Sequence, residues 1–214
     1  MIKFLEKLLN WIYVERCYFC GSTEEGKRLC SKCLSEIKML PPEPHSVIDG
    51  ANIYSVCVYD GNIKKLIKRV KYHRDGKLAK EQAQLMVRYW QQFNFPEKFY
   101  VLPVPQHKRR IRKRGGNHMD FVGKEFCAAL SYTLITDFLI RVRDTSPQYK
   151  LTKPEREKNL KDAFALSWEK LPDKSVPILL IDDIKTTGTT LKEIISTLHS
   201  NGYGDVRALT TART

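Results

Sequence analysis

Long hydrophobic runs are missing from this 214-residue chain, and acidic residues are scarce relative to basic ones. No apolar run approaches the roughly 20 residues that cross a bilayer, so the sequence predicts a cytoplasmic protein without a membrane-spanning helix. The 24 acidic residues against 37 lysines and arginines give a net charge of +13. This charge favours polyanionic partners such as phosphates, nucleic acid or an anionic membrane surface. Internal repeats and low-complexity tracts are also absent, and the length fits one α/β domain with a small accessory module.

Cysteine is scarce as well, yet four of the six cysteines form two closely spaced pairs. Cys17 and Cys20 form the first Cys-x-x-Cys pair, and Cys30 and Cys33 form the second. Four thiolates at this spacing complete a tetrahedral Zn²⁺ site and leave no open position, which predicts a structural zinc module. Two disulfides or a redox-active pair are the alternatives, and a cytosolic location argues against structural disulfides.

Composition divides the chain into three parts. Residues 1–40 are predicted to hold a short amphipathic N-terminal helix, ending near residue 15, and the zinc module. This helix docks onto the protein body or, alternatively, attaches the protein to the inner face of the cytoplasmic membrane. Residues 41–52, which open with a proline-rich stretch, are predicted as a linker, and residues 53–214 as the main domain.

Strands and helices alternate in the main domain, so we expect an α/β fold with a parallel sheet flanked by helices. The predicted strands cover residues 53–59, 99–104, 134–140, 178–181 and 206–211, and the predicted helices cover residues 63–93 in two parts, 121–130 and 191–199.

The most informative segment runs from residue 178 to residue 190, where a hydrophobic run is followed by two acids and a threonine-rich loop. The run has the length and β-branching of a buried parallel strand. Asp182 and Asp183 are therefore expected at its carboxyl end, where open α/β sheets bind ligands. Two vicinal carboxylates can accept hydrogen bonds from the two hydroxyls of a ribose ring.

The threonine-rich loop precedes a predicted helix, whose free N–H groups and dipole favour a phosphate. The segment therefore predicts a ribose 5-phosphate site. A Walker-type nucleotide loop fits less well because no Gly-x-x-x-x-Gly-Lys pattern occurs. The alternative is that the two acids only end a strand and that Thr190 only caps a helix. This alternative explains each feature separately but not their occurrence together. The predicted phosphate-binding residues are Lys185, Thr186, Thr187, Gly188, Thr189 and Thr190.

A second candidate segment directly follows the strand predicted over residues 99–104. Pro103 and Pro105 restrain a turn, and six of the seven residues 108–114 are Lys or Arg. Such a turn can direct backbone N–H groups and guanidinium groups at a diphosphate, whereas the alternative is a solvated basic loop. The predicted pyrophosphate-binding residues are Pro105, Gln106, His107, Arg110 and Arg114.

The order of these motifs resembles one protein family over nearly the whole chain. The segment 178–190 resembles the phosphoribosyl pyrophosphate (PRPP) motif of type I phosphoribosyltransferases. The ComF/ComFC family of competence-associated proteins is similar in that motif and in the cysteine pairs, Lys71-Tyr72, Pro-Val-Pro at 103–105, Arg-Gly-x-Asn at 114–117, the Arg-x-Arg-x-Thr-x-x-Gln pattern from Arg141 and Ala212-Arg213. Three positions depart from the family pattern: Gln106 replaces Leu, Gly116 replaces Phe, and His118 replaces Gln.

The resemblance implies a type I phosphoribosyltransferase-like fold and a PRPP site used with Mg²⁺. It also implies a role in natural transformation, where incoming single-stranded DNA is handled at the cytoplasmic side beside the DNA-uptake machinery of the inner membrane. By analogy with type I relatives, a homodimer is expected. The alternative is a phosphoribosyltransferase that transfers ribose 5-phosphate from PRPP to a base or amine without a DNA role. The sequence leaves open whether transfer is catalysed.

Under the DNA-handling hypothesis, two basic clusters form a track for single-stranded DNA, and aromatic side chains are stacking candidates unless they pack between helices. The predicted DNA-binding residues are Lys64, Lys65, Lys68, Arg69, Lys71, Lys108, Arg109, Arg112 and Lys113, and the aromatic candidates are Tyr72, Tyr89, Trp90 and Phe93.

Overall fold

The computed structural model describes residues 15–73, 75–143, 160–167 and 172–214, without the side chains of residues 113 and 114. The predicted N-terminal helix thus lies outside the described residues, apart from its last position. Residues 144–148 of the Arg-x-Arg-x-Thr-x-x-Gln pattern lie outside them too. No helix in the described ranges is long and apolar enough to cross a membrane.

Within the described residues, six strands form a central sheet and two more form a separate pair. The strands are β1 (Ser46–Ile48), β2 (Ala51–Val58), β3 (Tyr100–Pro103), β4 (Thr133–Leu134), β5 (Leu139–Arg141), β6 (Phe164–Leu166), β7 (Ile178–Lys185) and β8 (Val206–Arg213). The central sheet has the order β1-β2-β8-β7-β3-β4, and β5 pairs with β6. In the central sheet every neighbouring pair is parallel except β1 and β2. The carboxyl ends of five strands therefore meet at one edge, which is where ligands bind in such sheets.

Helices cover both faces of the sheet, as its apolar strands require. The helices of the described residues are α1 (Ser31–Ser35), α2 (Gly61–His73), α3 (Gly76–Trp90), α4 (Lys108–Arg114), α5 (His118–Leu130) and α6 (Thr189–Ser200), with a 3-10 turn at Gln91–Phe93. Leu179 and Ile181 of β7 belong to the core shared with α2, α3 and α5. Ile178 and Leu180 belong to the core shared with α6. The predicted α/β class with a mostly parallel sheet is confirmed.

Four local predictions need correction. The strand predicted to end at residue 181 continues to Lys185, because Asp182, Ile184 and Lys185 pair with β8. The strand predicted over residues 134–140 is split into β4 and β5, because a polar bend at residues 136–138 interrupts it.

The third correction concerns the basic segment, which was expected to be a loop. Residues 108–114 form α4, since Lys and Arg are good helix formers and the His107 side chain accepts a hydrogen bond from the Arg109 N–H at the helix start. The fourth concerns the predicted linker, where residues 46–48 and 51–52 form strands. Asp49 and Gly50 have φ of 47° and 82° and make the tight turn between them. The domain boundaries themselves stay a prediction.

Candidate functional site

The four paired cysteines lie together, with all four Sγ atoms within 4.8 Å of one another. The Sγ atoms of Cys20 and Cys30 are 3.7 Å apart. Thiolates around a tetrahedral zinc, with Zn–S bonds of about 2.3 Å, would lie about 3.8 Å apart, whereas disulfide sulfurs lie about 2 Å apart. The backbone N–H of Cys30 also donates to Cys17 Sγ over 3.4 Å, which suits a thiolate. The predicted four-cysteine cluster is confirmed, and its geometry fits structural zinc.

The cysteine module packs where α2 meets α3. Arg28 Nη2 lies 2.9 Å from Asp75 Oδ2. Asp75 is the N-cap of α3, and its Oδ1 accepts a hydrogen bond from the Leu78 N–H at 3.1 Å. The guanidinium groups of Arg28 and Arg69 each lie 5.9 Å from the Tyr18 ring. These contacts join the module to the helix pair that carries Lys71.

The acid pair lies at the carboxyl edge of the sheet, where Asp183 is only 5% exposed. Its Oδ2 atom lies 2.5 Å from Lys71 Nζ and 2.9 Å from His118 Nε2. Asp182 is partly buried, and its Oδ1 accepts a hydrogen bond from the Asp183 N–H at 2.8 Å. Thus the two neighbouring acids have different partners, and a cation compensates only one of them directly.

Two helices bring the partners of Asp183 to this edge. Helix α2 starts just after β2 and reaches β7 through Lys71, so it lies along the carboxyl edge. At the start of α5, Asn117 Nδ2 donates to Val104 O at 3.2 Å, which fixes the helix to the end of β3. A Cβ at Gly123 would lie 2.9 Å from Leu134 Cδ1 and 3.0 Å from Ile181 Cδ1. The absence of a side chain there lets α5 approach the sheet closely enough for His118 to touch Asp183.

A further hydrogen bond extends this contact to the segment after β3. Gln106 Nε2 lies 3.0 Å from His118 Nδ1, on the opposite side of the imidazole from Asp183. Gln106, His118, Asp183 and Lys71 therefore form one continuous chain of polar contacts.

Burial and charge shift the pKa values of this group in different directions. Burial, followed by the Asp183 charge, raises the pKa of Asp182 to about 8. Burial also opposes ionisation of Asp183, but the Lys71 ammonium and the His118 hydrogen bond outweigh it and hold the pKa of that carboxyl below its ordinary value. Burial opposes the Lys71 charge as well, and the Asp183 carboxylate nevertheless raises the pKa of Lys71. Two adjacent acids with separated pKa values are typical of functional sites.

The threonine-rich loop directly follows β7 and ends at α6. Gly188 is the N-cap of α6 with φ of 78°. A Cβ at Gly188 would lie 2.9 Å from Ile48 Cδ1 and 3.5 Å from Lys185 Cε, so the Lys185 side chain passes beside the loop. Thr187 Oγ1 and Thr189 Oγ1 are 2.8 Å apart, while Thr186 and Thr187 are exposed. Burial and the neighbouring Arg213 charge lower the pKa of Lys185. The predicted phosphate-binding residues therefore lie around the start of α6. Lys185, which is one of them, and Arg213 place two cations there.

The predicted pyrophosphate-binding residues lie in the turn after β3 and on α4. Pro105 follows Val104 at the end of the strand, Gln106 turns to His118, and His107 caps α4. Arg110 is partly buried on α4. The Arg114 side chain lies outside the description.

The predicted DNA-binding residues divide into outward and inward groups. The side chains of Lys64, Lys65, Lys68, Lys108, Arg109 and Arg112 are exposed. Arg69 lies against Tyr18, and Lys71 pairs with Asp183, so both make contacts inside the protein. The side chain of Lys113 is outside the description. Among the aromatic candidates, Tyr89 and Trp90 are buried, whereas Tyr72, next to Lys71, is 59% exposed.

The sequence interpretation missed two residues of the acid site. Lys71 was assigned to a DNA track, and His118 was assigned no role. Their contacts with Asp183 span 112 and 65 residues of sequence, so no local spacing could reveal them. One sequence signal could have indicated the contact between Gln106 and His118. Both residues depart from the family pattern, and they contact each other in the structure.

The mostly parallel sheet with helices on both faces has the type I phosphoribosyltransferase-like fold that the sequence predicted. Solved structures with a similar arrangement include an adenine phosphoribosyltransferase, with a TM-score of 0.43 and 11% identity over 67% of this chain and 74% of that one. A hypoxanthine phosphoribosyltransferase from Staphylococcus aureus has a TM-score of 0.34 and 16% identity over 71% of this chain and 65% of that one. Because these TM-scores are low, the fold class rests on the sheet and its helices.

Comparison with curated proteins gives relatives along most of the chain. The chain is 29% identical to the "DNA utilization protein YhgH" of Salmonella typhimurium over 208 residues, which cover 94% of this chain and 85% of the relative. It is 27% identical to "Competence protein F" of Haemophilus influenzae over 226 residues, which cover 92% of this chain and 96% of the relative. A family model described as "Protein of unknown function (DUF2963)" matches residues 47–80. The full-length matches confirm the similarity to the ComF family that the motifs predicted.

Proposed function

We propose that this chain is a PRPP-binding, phosphoribosyltransferase-like protein that handles incoming single-stranded DNA during natural transformation. The observation that carries the PRPP assignment is the position of the ionised Asp183, which lies at the carboxyl edge of the sheet directly before a phosphate-type loop. The names of the relatives support the DNA role, since they refer to competence and DNA utilization.

In this proposal the two acids bind the ribose hydroxyls in different ways. The ionised Asp183 carboxylate accepts a hydrogen bond from a hydroxyl. The raised pKa of Asp182 keeps it largely protonated at neutral pH, so its carboxyl group can donate as well as accept. The loop N–H groups and the Lys185 ammonium receive the 5-phosphate. Each polar part of ribose 5-phosphate then has a complementary group.

The diphosphate of PRPP is assigned to the segment after β3. As the C1–O bond of PRPP breaks, negative charge accumulates on the departing pyrophosphate and positive charge on the ribose ring. Cations on α4, such as Arg110, would stabilise the negative charge on the pyrophosphate. The Asp183 carboxylate would stabilise the positive charge on the ribose ring. Catalysis would therefore come mainly from electrostatic stabilisation.

Mg²⁺ is expected from the family resemblance, and it prefers oxygen ligands. Among the described residues, the cysteine cluster is the only group of three or more metal-ligand side chains. Asp183 Oδ2 is already occupied by Lys71 and His118. The protein side chains thus do not form a magnesium site by themselves, and phosphate oxygens of a ligand would have to supply most of the coordination.

The PRPP assignment is tested by calorimetry with PRPP and Mg²⁺. The wild-type protein should bind, and the double variant Asp182→Asn with Asp183→Asn should lose at least about tenfold in affinity, because the ribose loses its ionised acceptor. The matched control is Asp173→Asn, an exposed acid outside the acid site and the threonine-rich loop. Equal affinity in the wild type and the double variant would remove Asp182 and Asp183 from the site.

DNA binding is tested with a single-stranded oligonucleotide at several salt concentrations. The logarithm of the binding constant should fall by about 0.7 per neutralised phosphate for each tenfold rise in salt concentration. Replacing Lys64, Lys65 and Lys68 together with glutamine should make this dependence shallower, whereas Lys124→Gln on α5 serves as the control. No binding at low salt would reject the DNA role and leave the PRPP assignment standing.

Turnover is tested separately, by pyrophosphate release from PRPP over a panel of bases, amines and single-stranded DNA. Release with a base or amine, in a protein that does not bind DNA, would favour the orphan transferase. Binding of PRPP without release would favour a ligand-sensing role in DNA handling.

A further inference from the structure

We propose that His118 and Gln106 are positioning residues for Asp183: Gln106 braces the His118 imidazole through its second ring nitrogen, and His118 holds one carboxylate oxygen so that the other faces the ribose. This inference rests on the proposed function, because the ribose is the ligand that Asp183 would meet. It concerns a contact that local sequence patterns do not show.

The hydrogen-bond directions follow from the chemistry of the partners. Gln106 presents its amide nitrogen, a donor, to His118 Nδ1 at 3.0 Å. Nδ1 must then accept, so the proton of the neutral imidazole lies on Nε2. That N–H points at Asp183 Oδ2 over 2.9 Å. The ionised carboxylate can only accept and so requires the same tautomer, and the amide contact completes the hydrogen bonding of the ring at Nδ1.

The imidazole is held in place by its surroundings. His118 is 5% exposed and belongs to the first turn of α5. Asn117 fixes that turn to Val104, and the close approach at Gly123 fixes the helix to the sheet. These contacts hold the backbone of His118 beside Asp183.

Lys71 differs from His118 in this respect. The Lys71 side chain is 24% exposed, whereas the His118 side chain is 5% exposed. Both groups contact the same oxygen, Oδ2. We therefore assign His118, the more deeply buried of the two, as the partner that fixes the carboxylate.

The test combines PRPP calorimetry with the ¹⁵N NMR signals of the His118 ring in the full-length, zinc-loaded protein. The ligand-free wild type should show protonated Nε2 and unprotonated Nδ1. Gln106→Leu should keep the proton on Nε2, because the Asp183 carboxylate can only accept, but should lose severalfold in PRPP affinity, because the ring loses its second hydrogen bond. His118→Leu removes the N–H donor and should weaken PRPP binding at least about tenfold, the effect of losing a hydrogen bond to a charged group. His118→Gln keeps an N–H donor and should stay within about threefold of the wild type.

His73→Gln, on the exposed end of α2, is the matched histidine control and should bind PRPP as the wild type does. If His118→Leu does not fold, Gln106→Leu carries the test, because it leaves the helix start intact. A wild-type ring protonated on Nδ1, or wild-type affinity in both Gln106→Leu and His118→Leu, would overturn the inference. A wild type with the expected tautomer that does not bind PRPP would instead reject the proposed function.

Discussion

The cysteine cluster and the acid site are built in opposite ways. All four cysteines come from one short segment, residues 17–33, and their thiols lie within 4.8 Å of one another. The acid site draws Lys71, Gln106, His118 and Asp183 from four separate segments. Its charge is balanced within the protein, whereas four clustered thiolates require a metal ion.

This difference predicts how each region responds to damage. Loss of the metal removes the only group that holds the thiolates together, so the cysteine module should fail as a unit. Loss of one partner in the acid site leaves other partners in place, so its stability and ligand affinity should decline in steps. The following tests either separate the two regions in this way or show that they behave alike.

The largest effect is expected when a zinc ligand is removed. Cys33→Ser should abolish stoichiometric zinc and unfold residues 15–40, because structural zinc supplies an apparent 10 to 16 kcal/mol, roughly, to small modules. Zinc analysis and hydrogen exchange measure the two outcomes. Exchange in β7 and β8 should remain slow, since their hydrogen bonds lie in the sheet.

Cys127→Ala is the control for that experiment, because Cys127 is a buried core thiol outside the cluster. It should retain full zinc content. Rapid exchange throughout the sheet of Cys33→Ser would show that the two regions form one cooperative unit, and the comparison would fail.

The two regions also differ in how far the sequence alone could predict them. Two Cys-x-x-Cys pairs are enough for the cluster, because each pair lies on one turn. The strand, loop and helix at residues 178–200 are similarly local, and their order was predicted. The extension of β7 to Lys185 was not, because it depends on pairing with β8.

Long-range contacts explain the rest of what sequence reasoning missed. Lys71 lies in a run of cations that looks like a solvated helix face, and only the fold brings it to Asp183. The basic residues 108–114 were expected in a loop, because the hypothesis of a binding role depended on the neighbouring prolines and glycines. Helix propensity and the His107 cap instead determine the local structure.

The second-largest effect is expected when Lys71 is replaced by methionine. Asp183 would keep His118 but lose its cationic partner while 7% of its side chain remains exposed. Removing one member of a buried ion pair costs about 3–5 kcal/mol, and we expect about 3 because Lys71 is partly solvated. Urea unfolding measures the loss.

A double-mutant cycle identifies the cause of that loss. Adding Asp183→Asn to Lys71→Met should recover much of the stability, because the unpaired charge is removed as well. Lys68→Met, an exposed position on the same helix, should change stability by less than about 0.5 kcal/mol. Equal losses at positions 68 and 71 would mean that the ion pair is not the source.

A smaller effect is expected from the protonation of Asp182. Its pKa rises from the ordinary 3.8 to about 8 on folding, so between these values the folded state holds a proton that the unfolded state has lost. Stability must therefore fall as pH rises through this window. We expect the wild type to lose about 2 kcal/mol between about pH 5 and about pH 8, half of the full linkage value, because Asp182 is only partly buried.

Asp183 contributes with the opposite sign, since its lowered pKa adds stability that is present above its ordinary value and lost as pH falls further into acid. The two acids can thus be separated by pH. Asp182→Asn should flatten the loss between about pH 5 and about pH 8 in urea unfolding. A variant with the same slope as the wild type would show that Asp182 is ionised in the folded protein.

The smallest effect is expected at the phosphate loop, from Gly188→Ala. The φ of 78° disfavours a side chain, at a cost of about 1–2 kcal/mol. The new Cβ would also meet Ile48 Cδ1 at 2.9 Å, but this atom is the tip of a flexible side chain and can move.

Gly204→Ala is the control, because no atom lies within 4 Å of its Cβ position and its φ is not in the left-handed range. If the loop N–H groups bind the phosphate as proposed, calorimetry should show weaker ribose 5-phosphate binding in Gly188→Ala. Its zinc content should not change, because the cysteine module is distant in sequence. Stability and ribose 5-phosphate affinity that match those of Gly204→Ala would show that the backbone at Gly188 does not shape the phosphate site.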